Sequence, residues 1–177
     1  MALGLSGDDA HPAKPFRDVF DAVRTAGLGS VPHAGESVGP GCIWEALSLL
    51  HADRIGHGIS ATGDPALLSE LRDAAVPLEI CPSSNVALGL VPSLEAHPLL
   101  RLLEAGLTVT LNTDIPSMTG VSITAEYENA RAAFGLDDRV LAALAIAGVD
   151  APFAPAQLKQ SLRQEINDWL LEPLGQP

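Results

Sequence analysis

Four short apolar runs in this chain each end on a residue that can do chemistry, and no other feature constrains the fold as strongly. The runs are Ser30-Val31-Pro32-His33, Arg54-Ile55-Gly56-His57, Leu78-Glu79-Ile80-Cys81 and Val109-Thr110-Leu111-Asn112-Thr113-Asp114. His33, His57 and Cys81 follow one another at intervals of about 24 residues. That is roughly the length of one β-strand plus a crossover helix and its loops. Polar groups at the ends of successive parallel strands point at one shared face, which is where βα folds assemble active sites.

The segments between the runs read as helices. Phe16, Val19, Phe20 and Val23 recur at i, i+3, i+4 and i+7, which predicts a helix ending at Gly27. Ile43, Leu47 and Leu50 line one face of the next, with His51 in its last turn. Asp64-Pro65 opens a third helix with a cap and a proline in the first turn, and Leu67, Leu68 and Leu71 face the core. A short helix over 98–105 is stopped by Gly106, and a strand over 107–111 follows. Three helices are predicted at about 123–134, 138–147 and 155–171. At the start, Ala2–Leu5 reads as a strand remnant ending at Ser6-Gly7-Asp8. Ser83-Ser84-Asn85 after Cys81-Pro82 reads as a polar loop that shapes the site.

Strand then helix, repeated five times without an adjacent hairpin, predicts an α/β fold with a parallel sheet. A β/α barrel of the TIM type has eight such units in about 250 residues. The 177 residues here hold five. The expected architecture is an incomplete TIM-type barrel, about strands four to eight plus C-terminal helices. It forms a single partial domain over 1–177, with the missing strands before Met1.

Charge and composition narrow the function. A net charge of −12 argues against nucleic-acid binding, which needs clustered Lys and Arg. No apolar stretch reaches the roughly 20 residues that span a bilayer, and the N-terminus lacks the pattern of a signal peptide. Cys42 and Cys81 make no disulfide framework; they read as buried and inert, and a cytoplasmic location is expected.

Three clusters carry candidate chemistry. His33-Ala34-Gly35-Glu36 joins an imidazole that can bind a metal to a carboxylate that can act on a substrate atom beside it; a surface loop with an acid at a helix start is the alternative. His57 lies between Gly56 and Gly58, which let a ligand approach closely. A lone strand-end histidine is more often structural, but its alignment with His33 in the repeat favours function. Asp114 ends an apolar strand, where a carboxylate is costly to bury unless paired or metal-bound; an Asx turn is the other reading. His51 reads as structural, and His11 and His97, both before proline in loops, are not expected to be ligands.

Taken in order, Ser6-Gly7-Asp8, His33-Ala34-Gly35-Glu36, Arg54-Ile55-Gly56-His57-Gly58, Glu79-Ile80-Cys81-Pro82-Ser83-Ser84-Asn85 and Leu111-Asn112-Thr113-Asp114 resemble the adenosine and adenine deaminases. These are metal-dependent barrel hydrolases of the amidohydrolase superfamily. The resemblance implies zinc as cofactor and a small-molecule purine as substrate. It further implies His33 and Asp114 as zinc ligands, Glu36 as the acid that protonates the purine ring nitrogen beside the attacked carbon, and His57 as the group that orients and deprotonates the attacking water. Gly7 is implied as a backbone contact to the far ring nitrogen. The reaction would be hydrolytic deamination of a 6-aminopurine nucleoside or base, giving a 6-oxopurine and ammonia.

Two departures stand out. The family's His-x-His pair on its first strand is absent, leaving two of the expected ligands, so the isolated chain is expected to show little or no catalysis. Ile115 replaces the Asp or Asn that usually follows the metal-binding Asp and bonds the purine's five-membered ring. The alternative reading is a non-catalytic half-barrel that self-associates or binds a partner through open edge strands.

Overall fold

Each strand in this chain is followed by a helix, so each must return in the direction of its predecessor. The computed structural model describes residues 1–171. Its strands are β1 (Ala2–Leu5), β2 (Gly29–Ala34), β3 (Ile55–His57), β4 (Leu78–Ile80) and β5 (Val109–Leu111). They form one parallel sheet in sequential order, β1-β2-β3-β4-β5. Leu5 lies opposite Pro32, His33 opposite Gly56, Ala34 opposite His57, and Ile80 opposite Leu111. This is the expected β/α barrel topology in part.

The crossovers are α1 (Arg17–Thr25), α2 (Gly41–Leu49), α3 (Pro65–Asp73), α4 (Pro82–Ala87) and α5 (Leu99–Glu104). After β5 come α6 (Pro116–Thr119), α7 (Ile123–Phe134), α8 (Asp138–Asp150) and α9 (Ala156–Leu171). Short 3-10 turns occupy Lys14–Phe16 and Ile59–Gly63. Ile55, Leu67, Leu71, Leu78, Ile80, Leu99 and Leu102 are fully buried between sheet and helices. Both β3 and β5 are buried along their whole length, as expected of parallel strands covered by helices.

Three readings need correction. The segment Ser83-Ser84-Asn85 is helical, because Pro82 at the first turn fixes a helical φ and loses no needed hydrogen bond. His51 lies beyond the end of α2, with φ at 51°, and its Nε2 meets Asp21 Oδ1 at 2.9 Å. In the first helix only Phe20 is buried; Phe16 belongs to the preceding 3-10 turn, and Phe16 and Val19 are exposed. Among the described residues no helix is long and apolar enough to cross a membrane.

Asp64 caps α3 as the sequence predicts. Its carboxylate accepts from Ala66 N–H at 2.9 Å and Leu67 N–H at 3.2 Å, and from Trp44 Nε1 at 2.9 Å. Asp64→Ala is therefore expected to lower unfolding stability by about 1–2 kcal/mol. Asp64→Asn should lose less, and urea denaturation of the three proteins checks the order.

Candidate active site

The site is built where β2 and β3 end. His33 is opposite Gly56, and a Cβ on Gly56 would lie 2.5 Å from His33 Cδ2. Only glycine lets the imidazole lie across the neighbouring strand. The ring of His33 then meets that of His57 edge-on, with centroids 4.8 Å apart and planes at 78°.

The chain turns sharply after β2. Gly35 has φ +71°, and a Cβ there would meet Ile43 Cδ1 at 2.4 Å. Cys42 Sγ accepts the Gly35 N–H at 2.9 Å. Asp9 accepts the Glu36 N–H at 2.9 Å, the Ser37 N–H at 3.3 Å and the Ser37 hydroxyl. The turn brings Glu36 Oε1 to 3.5 Å from His57 Nδ1. One donor atom from each of His33, Glu36 and His57 lies within 4.8 Å of the others.

A second layer holds this cluster. On α7, Glu126 Oε1 accepts the Ser83 N–H at 2.9 Å, and Asn129 Nδ2 reaches Ser83 Oγ at 3.3 Å. This docks α4 so that Ser84 Oγ donates to Asp114 Oδ2 at 2.6 Å. Asn85 Nδ2 is 3.3 Å from Glu36 Oε1 and 3.4 Å from His57 Nδ1. Behind it, His97 Nε2 lies 3.2 Å from Asn85 Oδ1. The sequence reads Asn85 as part of a loop that shapes the site, without a catalytic role, and leaves His97 outside it. A helix signal existed in Pro82, but nothing local marks His97.

Of the five candidates, His33, Glu36 and His57 converge directly. Asp114 lies outside that trio but shares a cleft with His33, His57, Glu79, Cys81 and Asn112. Gly7 lines an adjoining cleft at the end of β1, with Asp8, Asp9 and His33. His57 and Asp114 both hold positive φ, 63° and 58°. Such backbone strain in non-glycine residues concentrates at functional sites.

Burial shifts Glu36 and His57 in opposite directions. Burial, then the charges of Asp114 and Asp9, pushes the Glu36 carboxyl up. Burial, then His33, pushes His57 down to about 4. Burial also pushes the Cys81 thiol up, which fits the inert cysteine expected there.

Burial, then His57, lowers His97 from 6.5 to about 4. Between those values the unfolded chain binds more protons than the folded one, so stability falls as pH drops through this window and is full above it. Going from about pH 7.5 to about pH 5 is expected to cost about 1–2 kcal/mol through His97. The urea midpoint at the two pH values measures it, and His97→Gln should reduce the difference.

Comparison with known proteins identifies the family. The adenosine deaminase family model matches residues 1–169. An aminodeoxyfutalosine deaminase of Streptomyces coelicolor is 45% identical over 170 residues, covering 96% of this chain and 44% of that protein. The crystal structure of an adenine deaminase from Arthrobacter aurescens superposes with TM-score 0.92 at 34% identity, covering 96% of this chain and 52% of that one. An amidohydrolase from Burkholderia ambifaria, solved with bound Zn, superposes with TM-score 0.86 over 94% of this chain and 47% of its own. At 22% identity it speaks for the fold alone. The chain thus spans about half the length of the relatives it matches. With the parallel sheet, the strand-end residues and the match over nearly its whole length, the chain belongs to the adenosine deaminase family.

Proposed function

We propose that this chain supplies the acid, base and part of the metal site of a zinc-dependent purine deaminase. The observation that carries the reading is the contact of Glu36 with His57, 3.5 Å apart beside the His33 ring. The donor set fits zinc, which takes imidazole nitrogen and carboxylate oxygen. His33 and Asp114 would hold it. When bound, zinc supplies Lewis-acid activation of water, whose pKa falls to about 7.

The chain's own residues then divide the work. Glu36, whose carboxyl is pushed up by burial and by the charges of Asp114 and Asp9, is placed to give a proton to the purine ring nitrogen beside the attacked carbon. His57, pushed down to about 4, is a neutral imidazole at neutral pH; it orients the attacking water and takes its proton. The Gly7 backbone contacts the far ring nitrogen. The amino group leaves as ammonia and a 6-oxopurine remains. The free thiols Cys42 and Cys81 accord with a cytoplasmic location.

The chain matches less than half of the Streptomyces coelicolor deaminase, so the test is a fusion. The part of that relative preceding the match is joined to this chain, loaded with zinc and assayed on adenine, adenosine and aminodeoxyfutalosine. Ammonia release is expected, and Glu36→Gln or His57→Ala should lower the rate by about 10²–10⁴. A well-folded, zinc-loaded fusion without turnover would favour the half-barrel binding role, which β1 at the sheet edge could serve.

Ile115, half-buried before α6, bears on substrate choice. It cannot hydrogen-bond a ring nitrogen, and a buried polar atom left without a partner costs roughly 1–3 kcal/mol. Ile115→Asp in the fusion is expected to raise kcat/KM for adenosine by about tenfold or more, equal to about 1.4 kcal/mol. Comparing kcat/KM across the three substrates checks this.

A further inference from the structure

We propose that His97 is a positioning residue that acts through Asn85, fixing the amide so that Glu36 Oε1 only accepts hydrogen bonds and the transferable proton resides on Oε2. The proposal rests on the acid role given above to Glu36.

The argument starts at a backbone group. The Leu99 N–H donates to His97 Nδ1 at 3.1 Å, so that nitrogen carries no proton. His97 is 4% exposed, lies with its ring edge-on to Phe134, and is neutral because burial opposes its charge. Its one ring proton is therefore on Nε2, which donates to Asn85 Oδ1 at 3.2 Å. That contact settles which end of the amide is which. Rotating it by half a turn would set the amide's N–H groups against Nε2–H, donor against donor, inside a wholly buried site.

Asn85 Nδ2 must then face the catalytic pair. It donates to Glu36 Oε1 at 3.3 Å. His57 Nδ1 is 3.5 Å from the same oxygen and 3.4 Å from Asn85 Nδ2. An oxygen that accepts the amide N–H turns a lone pair to Asn85 and is the poorer place for the acid proton. The acid proton is left on Oε2. Thus a backbone N–H at the start of α5 sets the orientation of an acid at the end of β2.

Two measurements test this. In the isolated chain, long-range nitrogen–proton NMR of the histidine rings should give His97 as the Nε2–H tautomer. The Asn85 side-chain amide should exchange slowly, faster in His97→Leu, and slowly again in His97→Gln, which restores a donor. These readings need no catalysis, so they stand apart from the deaminase assignment. In the active fusion, His97→Leu should lower kcat by about tenfold or more with KM little changed, and His97→Gln should recover most of the loss. A charged or Nδ1–H His97, or equal amide exchange in wild type and His97→Leu, overturns the proposal. So does a His97→Leu fusion with unchanged kcat.

Discussion

The site depends on a side chain that is not there. Gly56 stands opposite His33 in the β2–β3 pairing, and any Cβ there would occupy the place of the His33 ring. The parallel register fixes the rest. One residue further on, Ala34 pairs with His57, so the two imidazoles leave neighbouring strands at successive levels and meet edge to face. Regular alternation would turn His57 away from His33; His57 departs from it with a positive φ at the strand end. The apolar core beneath, with Ile55, Leu78 and Ile80 fully buried, holds the register.

Around this contact the polar groups are satisfied in layers. Asp9 holds the backbone of the Glu36 turn, Ser84 holds Asp114, and Asn85 faces Glu36 and His57. The elements that supply them are held from outside. Glu126 on α7 is almost wholly buried and accepts a backbone N–H from α4, while burial pushes its carboxyl up. Buried polar side chains are costly unless paired. Glu126 Oε2 is buried without a partner, but the paired contacts resist rearrangement, which catalysis by positioned groups requires. Strained backbone at His57 and Asp114 is tolerable because the surrounding contacts over-determine it.

Five parallel strands carry this arrangement, in a chain that spans about half of its relatives. Glu36 and His57, the groups proposed to move protons, are adjacent within this half. The ligand set proposed for the metal is two residues, below the three protein ligands usual in catalytic zinc sites. The layer of α4, α7 and His97 that holds Glu36 and His57 lies within this chain.

The sequence by itself determined the parallel β/α alternation, the strand ends and most helices. These are local signals: hydrophobic period, glycine stops, the Asp64-Pro65 cap. His33, Glu36 and His57 were legible because a strand ending on a polar residue, repeated at a fixed interval, places those residues on one face. Only the tertiary structure decided how they are held. Asn85 meets Glu36 across 49 positions of sequence, Glu126 meets Ser83 across 43, and Asp9 meets Glu36 across 27. Neither Asn85 nor His97 carries a periodic or turn signal for such a role. Their place follows from how α4 and the loop before α5 dock beneath the strand ends, and hydrogen bonds between distant segments have no imprint on local residue spacing.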